Sequence, residues 1–282
     1  MWLIGCLLHV GAATIMGVST SKPWSAWVAT LILALAGSAE VRAHEFQVDM
    51  IQFDPWALRN PVHDEARPYV GIVVDLLDEF ERRSGHKTQR VLAPYARVEL
   101  DLEQGQADFS IMAWGDARGR YANRGTCLVP LDFGVRARKG VVLDGYESLS
   151  AITTSASRGL KVDPRFDADP AVRKDYVMDY TTGVRKTAVQ RDSDAVAGHL
   201  ATINYLIDKH GLGERFGDTL LLRTTHLSVA FSKASPRKAL ESQVQQVFQA
   251  MVEDGTARRI YDRWLGRHRQ GLSGEAQAPN CR

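Results

Sequence analysis

Residues 243–266 read QVQQVFQAMVEDGTARRIYDRWLG and give the clearest structural signal in the chain. Their apolar side chains recur every three or four positions, which is the period of an amphipathic helix. Gly255 interrupts this pattern, at a position where a left-handed helix cap costs glycine little strain. A second amphipathic turn follows, with Ile260, Tyr261 and Trp264 on one side. The stretch therefore predicts two short helices separated by a glycine.

The N-terminal segment predicts export from the cytoplasm. Residues 27–36 form an apolar run of about ten residues, which is shorter than the ~20 that a membrane-spanning helix needs. Small residues and the triplet Val-Arg-Ala at 41–43 follow, as they do at a signal-peptide cleavage site. Met16 is an alternative start to Met1, and a retained membrane anchor is the alternative to cleavage. We expect residues 1–43 to be a signal peptide and the mature protein to be periplasmic.

The composition is that of an ordinary globular protein. The formal net charge is only +2, and acidic and basic residues are interspersed. Nucleic acid is therefore not an expected partner, because its binding requires a basic surface. After cleavage the chain keeps Cys127 and Cys281, an even count that allows one disulfide in an oxidising compartment. Two cysteines cannot form a zinc site unaided, and we expect neither a metal nor a cofactor.

Strand-like and helix-like segments alternate along the mature chain. The first part predicts a strand–helix–strand–helix–strand succession over residues 46–51, 72–83, 87–92, 96–103 and 107–112. Weaker signals predict later strands over residues 139–143, 159–162, 176–180, 194–196 and 219–223. Further helices are predicted over residues 146–152, 182–190 and 200–210. This alternation indicates an α/β fold with parallel strands and right-handed crossovers.

Four segments together carry a resemblance to one family of proteins. GIVVDLL at 71–77 resembles the family's Gly-aromatic-Asp-Val-Asp-Leu segment, and EQGQAD at 103–108 resembles its helix-Gly-strand step. RDSDAV at 191–196 resembles a strand of the second lobe, although its leading glycine is missing. The helices at 243–266 resemble the family's closing segment. In the order and spacing of these motifs, about residues 48–267 resemble the family 3 bacterial solute-binding proteins, whose members include the substrate-binding proteins of amino-acid ABC transporters.

The resemblance implies a two-lobed periplasmic binding protein of type II, a Venus flytrap with two crossing hinge strands and a ligand cleft. It implies lobe 1 at residues 44–132 and 230–270, lobe 2 at 133–229, a C-terminal tail at 271–282, and hinges near 132–135 and 227–230. It also implies a monomer that closes on a small solute and delivers it to an ABC transporter permease, without catalysis of its own. Open α/β sheets bind ligands beyond the carboxyl ends of their strands, which agrees with a site in that cleft.

Several residues match ligand-binding positions of the family. Phe53 and Tyr95 stand where members present aromatic walls, the alternative for Phe53, as for the nearby Trp56, being a core residue. Arg118 stands where members present an arginine that clamps a ligand carboxylate in two hydrogen bonds, the alternative being a solvated arginine. His199 replaces the aspartate that binds a ligand ammonium in amino-acid binders. A neutral imidazole cannot supply that charge, so we expect common L-amino acids to bind poorly.

Two more residues complete the expected site, with Trp114 as the floor of the pocket and Asp116 as an acceptor. We expect a small solute that carries a carboxylate and an apolar or aromatic part. One alternative is a cyclohexadienyl-type dehydratase on the same fold, for which Asp116 is the visible general acid. Another is a sensor or adaptor module that binds a partner. We also expect a disulfide between Cys127 and Cys281, because the resemblance returns the final helices to the lobe that holds Cys127.

Overall fold

The computed structural model describes residues 43–190 and 192–269. The predicted signal peptide, the C-terminal tail and Cys281 lie outside these residues, apart from Ala43. Within the described ranges, no helix combines the length and the apolar character that crossing a membrane requires.

The strands alternate with helices for most of the described chain. The strands are β1 (Glu45–Ile51), β2 (Leu58–Arg59), β3 (Tyr69–Val70), β4 (Lys87–Ala93), β5 (Phe109–Ala113), β6 (Ala122–Arg138), β7 (Thr153–Ser157), β8 (Arg173–Val177), β9 (Ala195–His199) and β10 (Phe216–Ser232). The helices are α1 (Ile72–Ser84), α2 (Tyr95–Gln104), α3 (Pro164–Ala168), α4 (Tyr180–Ala188), α5 (Leu200–Lys209), α6 (Glu241–Glu253) and α7 (Thr256–Leu265).

Eight of the described strands form one sheet in the order β4-β1-β5-β10-β6-β9-β7-β8. β1 pairs in parallel with β4 and β5, and β7 pairs in parallel with β8 and β9. The antiparallel strands β6 and β10 lie between these two groups. We call β1, β4 and β5 with α1, α2, α6, α7 and the loops between them the first half, and β7, β8 and β9 with α3, α4, α5 and the loops between them the second half.

The two long strands connect the halves because each pairs with a different group along its length. β10 pairs with β5 through residues 227–231, whereas β6 pairs with β9 through residues 133–137. Between these segments β6 and β10 pair with each other, for example at Asp132 and Thr224. Each half is thus a small α/β unit, and the two share a pair of crossing strands.

The closing helices form as the sequence predicts and pack on the first half. Gly255 adopts φ 75°, the left-handed conformation that ends α6 and starts α7. Phe248 of α6 is fully buried and stacks on Phe80 of α1, with ring centroids 5.1 Å apart. Tyr261 of α7 is buried as well. These contacts complete the core of the first half with residues from the end of the chain.

Several other predicted elements are confirmed and some are wrong. The five elements predicted between residues 46 and 112 are present with small shifts of their ends. Residues 139–143 and 159–162 are not strands, because Gly140 and Gly159 take positive φ values and turn the chain there. The strand predicted at 176–180 ends at Val177, since α4 begins at Tyr180.

Candidate ligand-binding cleft

Two adjoining cavities lie between the halves. The outer cavity has a volume of about 770 Å³, and the inner pocket has about 30 Å³, which is room for one or two water molecules. Both are lined by residues that follow β1, β4 and β7, such as Phe53, Tyr95 and Leu160. The cavities therefore lie at the carboxyl ends of parallel strands, where open α/β sheets bind their ligands.

Aromatic side chains from both halves form the walls. Phe53 of the first half lies with its ring centroid 5.6 Å from that of Tyr180 in the second half. Both rings line both cavities, and so does Tyr95. The structure thus brings Phe53 and Tyr95 to the cleft walls. Sequence reasoning missed Tyr180, whose only local signal is Asp179 before it, a residue that caps α4 by accepting a hydrogen bond from the Thr182 backbone N–H.

Arg118 lies behind the wall and lines neither cavity. Its Nε and Nη2 donate to Glu99 Oε1 at 2.9 and 2.5 Å, and Nη1 donates to the Ala113 carbonyl oxygen at 2.5 Å. Nη2 also donates to the Tyr95 hydroxyl, and the Tyr121 hydroxyl donates to the other Glu99 oxygen. Since the Arg118 side chain is 6% exposed, the protein itself supplies the carboxylate that this guanidinium binds.

His199 lines the inner pocket and belongs to a buried hydrogen-bond network that joins the halves. Its Nδ1 lies 2.9 Å from Thr202 Oγ1, and its Nε2 lies 3.2 Å from the Tyr261 hydroxyl. The Thr202 hydroxyl also accepts a hydrogen bond of 2.8 Å from Trp56 Nε1. Trp56 and Tyr261 belong to the first half, whereas His199 and Thr202 belong to the second. We call these four residues the buried network.

The charge state of His199 follows from its burial. Burial lowers the pKa of His199 to about 3, and the positive charge of Arg269 adds to that effect. The imidazole is therefore neutral at physiological pH. It cannot offer a charge to a ligand, and both of its ring nitrogens already have protein partners.

The remaining predicted site residues lie away from the cavities. Trp114 is 7% exposed but lines neither cavity, and the Arg124 guanidinium lies 5.9 Å from its ring centroid. Asp116 is exposed in the short helical turn Asp116–Arg120 and lines neither cavity. The general acid considered for a dehydratase is thus outside the cleft walls.

Cys127 lies half-buried on β6, where the Ser228 hydroxyl approaches its Sγ at 3.6 Å. Its predicted partner, Cys281, lies outside the described residues, so the disulfide stays a prediction. Among the residues that the structure describes, no group of three or more histidine, cysteine, aspartate or glutamate side chains could hold a metal ion.

The sheet order, the crossing strands and the cleft define a two-lobed α/β binding protein of the type II periplasmic class. The sequence model of bacterial extracellular solute-binding proteins, family 3, matches residues 56–267, and the chain belongs to that family. No curated protein sequence matches it significantly.

Solved structures share the fold at low sequence identity. The VFT2 domain of BvgS from Bordetella pertussis, as a double mutant, is 16% identical with a TM-score of 0.65, over 78% of this chain and 93% of that one. The P235GK mutant of ArgBP from T. maritima is 18% identical with a TM-score of 0.65, over 79% and 95%. The solute receptor for L-cysteine of Neisseria gonorrhoeae is 15% identical with a TM-score of 0.65, over 81% and 92%.

Proposed function

We propose that the chain is a periplasmic solute-binding protein that captures a small solute with an aromatic or apolar part and delivers it to an ABC transporter permease. The observation that carries this proposal is the outer cavity of about 770 Å³, whose aromatic walls come from both halves of the molecule. A ligand held there contacts both halves at once, so its binding stabilises the closed arrangement. The protein acts by binding and has no catalytic step of its own.

The lobes in this proposal are residues 44–132 with 230–270, and residues 133–229. The change of strand partners supports this division, since β6 begins to pair with β9 at Phe133 and β10 pairs with β5 from Leu227. Movement of the lobes would then bend β6 and β10 at this change of partners, as in hinge closure around a ligand.

Aromatic contact, rather than a clamp by Arg118, supplies most of the recognition in this proposal. Arg118 is engaged by Glu99 and Ala113, so a ligand carboxylate would have to displace a protein carboxylate to reach it. Aromatic pairs contribute about 0.5–1.5 kcal/mol beyond the area that they bury. Because His199 is neutral, common L-amino acids bind poorly, as their ammonium group finds no counter-charge there.

A thermal-shift screen of the mature protein tests the proposal. The panel contains aromatic acids, their amides, aliphatic acids and the common L-amino acids. A ligand at 100 times its dissociation constant adds about 2.7 kcal/mol to the stability of the folded state, so binders raise the melting temperature. We expect the aromatic acids and their amides to raise it, and the L-amino acids, including the aromatic ones, to leave it unchanged. The proposal fails if aromatic compounds have no effect, and chemical turnover of a binder would favour the dehydratase alternative.

A further inference from the structure

We propose that Arg158 is the anion-binding residue of the outer cavity, and that the solute is an aromatic acid whose carboxylate pairs with it. The ring of the acid lies among Phe53, Tyr95 and Tyr180. This inference rests on the proposed function, since it names the solute class of the same cleft. In this inference the ligand carboxylate pairs with the exposed Arg158 and not with the buried Arg118.

The position of Arg158 is fixed by its neighbours in the fold. It follows β7 directly, and its backbone N–H donates to the Val177 carbonyl oxygen of the adjacent strand at 2.9 Å. Gly159 turns the chain with φ 86°, and a Cβ atom there would lie 3.5 Å from the Tyr95 ring. The backbone next to Arg158 is therefore in contact range of the aromatic wall, and Arg158 itself lines the outer cavity.

The charged side chains that line the outer cavity differ in whether they have hydrogen-bond or ion-pair partners in the protein. Asp54 pairs with Lys209 and accepts a 3.2 Å hydrogen bond from the Tyr205 hydroxyl. Asp179 caps α4 by accepting a hydrogen bond of 2.7 Å from the Thr182 backbone N–H. The exposed side chain of Arg158, by contrast, makes no hydrogen bond or ion pair with any residue of the described ranges. It is thus the positively charged group in the lining of this cavity, and it is available to a ligand anion.

The side of the outer cavity that adjoins the inner pocket is apolar, so the charged end of a ligand faces away from it, toward Arg158. Among the described residues, the lining of the inner pocket contains aliphatic and aromatic side chains with the neutral His199, and no charged group. Moving a carboxylate into such surroundings without a counter-charge costs several kcal/mol. The apolar ring consequently points inward and the carboxylate outward. An exposed guanidinium at the opening binds the carboxylate while part of both groups stays hydrated.

Pairs of acids and amides with the same ring separate the contribution of the carboxylate charge to binding from that of the ring. The probes are phenylacetate with phenylacetamide and indole-3-acetate with indole-3-acetamide, titrated calorimetrically into the wild-type mature protein. We expect at least one acid to bind about tenfold more tightly than its amide, which corresponds to about 1.4 kcal/mol. Higher salt should weaken the binding of the acid and leave the affinity for the amide unchanged, because salt screens exposed charges.

Arg158→Gln then tests the assigned residue. We expect this variant to bind the acid about tenfold more weakly and the amide with unchanged affinity. Arg185→Gln is the matched control, since Arg185 is an exposed arginine of α4 that lines neither cavity. It should bind both probes as the wild type does.

The possible results distinguish this inference from the proposed function. If the amides bind as tightly as the acids, or if Arg158→Gln leaves acid binding unchanged, the role of Arg158 is wrong while the aromatic cleft stands. If no acid and no amide binds to the wild type, the proposed function fails and the inference fails with it. If Arg158→Gln binds the acid more weakly but the amide as before, and Arg185→Gln binds both as the wild type does, the result supports the inference and the proposed function.

Discussion

The inner pocket and the outer cavity are built from neighbouring residues but differ in how their polar groups are used. Around the inner pocket, the polar groups of Trp56, His199 and Thr202 are hydrogen-bonded to protein atoms. In the outer cavity, Arg158 keeps its side chain free of such contacts within the described residues. Groups that are satisfied by the fold stabilise it, whereas groups that the fold leaves free are available for recognition.

The two arginines show the same contrast. The Arg118 side chain is 6% exposed and binds the Glu99 carboxylate, whereas Arg158 is exposed and lines the outer cavity. A buried guanidinium needs its partner to offset the loss of hydration, but an exposed one does not. The four predictions below test this difference, beginning with the largest expected effect.

Glu99→Ala should destabilise the protein by about 3 kcal/mol, because it leaves the Arg118 guanidinium buried without its counter-charge. This value lies at the lower end of the usual range, since the Glu99 side chain is 23% exposed. Urea denaturation followed by circular dichroism measures the change. Glu147→Ala is the control, because the Glu147–Arg165 pair is 81% and 62% exposed and its loss should change stability far less. Equal losses in the two variants would contradict the contrast between buried and exposed pairs.

Thr202→Val should cost about 1–3 kcal/mol, because the Trp56 and His199 ring nitrogens lose their buried partner. Since these hydrogen bonds join the halves, we also expect the unliganded variant to open. Small-angle scattering would show a larger radius of gyration than in the wild type.

The matched control for this variant is Thr187→Val. The Thr187 hydroxyl lies 3.1 Å from the Ser193 hydroxyl, is equally buried, and lies wholly within the second half. It should lower stability to a similar degree and leave the radius of gyration unchanged. If Thr202→Val has no effect on the radius either, the buried network does not hold the halves together.

The pH dependence of stability should show that the fold holds His199 neutral. Its pKa falls from 6.5 to about 3 on folding, so between these values the unfolded chain binds more protons than the folded one. This contribution to stability is complete well above pH 6.5 and is lost as the pH falls toward 3, so that about 1.4 kcal/mol is lost at about pH 5.5, one unit below the unfolded pKa. His199→Gln should remove this loss, which appears in the difference between the two stability curves.

The difference curve is needed because Asp49 acts in the opposite direction. Burial and the neighbouring Asp101 raise the pKa of Asp49 to about 7, so the stability that its protonation brings is lost as the pH rises through 7. Asp49 is present in the wild type and in His199→Gln, and its effect cancels between them. Parallel curves below pH 6.5 would show that His199 is not held neutral by the fold.

Arg158→Gln should change the free energy of unfolding by no more than about 0.5 kcal/mol, because the side chain is exposed and the substitution breaks no contact of the described structure. The measurement is the same urea titration as for Glu99→Ala. A loss of more than 1 kcal/mol would mean that Arg158 stabilises the fold, and would remove the contrast with Arg118.

The secondary structure could be predicted from the sequence where the pattern is local. The helices at the end of the chain follow from apolar periodicity and Gly255, whose φ of 75° allows the chain to turn between them. β6 was not predicted as a strand, because glycine, proline and arginine interrupt its pattern. It forms because β10 and β9 supply its hydrogen bonds, and no local pattern contains that information.

The site could be predicted only in part. Phe53, Tyr95 and His199 were identified from motif positions, and the structure places all three around the inner pocket. Arg118 was also identified from its motif position. The sequence does not show that Glu99 binds it, because the two lie 19 residues apart and only the fold brings them together. Tyr180 was missed, because the partner that brings its ring to the cleft is Phe53 in the other half.

The sequence by itself determined the α/β class, the family resemblance and the helices that close the chain, because these depend on periodicity and on the order of motifs. Only the tertiary structure decided which polar groups are satisfied and which are free. That distinction depends on distances between residues far apart in the chain, such as Trp56 and Thr202. It separates Arg118, which is paired with Glu99, from Arg158, whose side chain has no hydrogen bond or ion pair to the described residues, because a buried charge needs a protein partner and an exposed one does not.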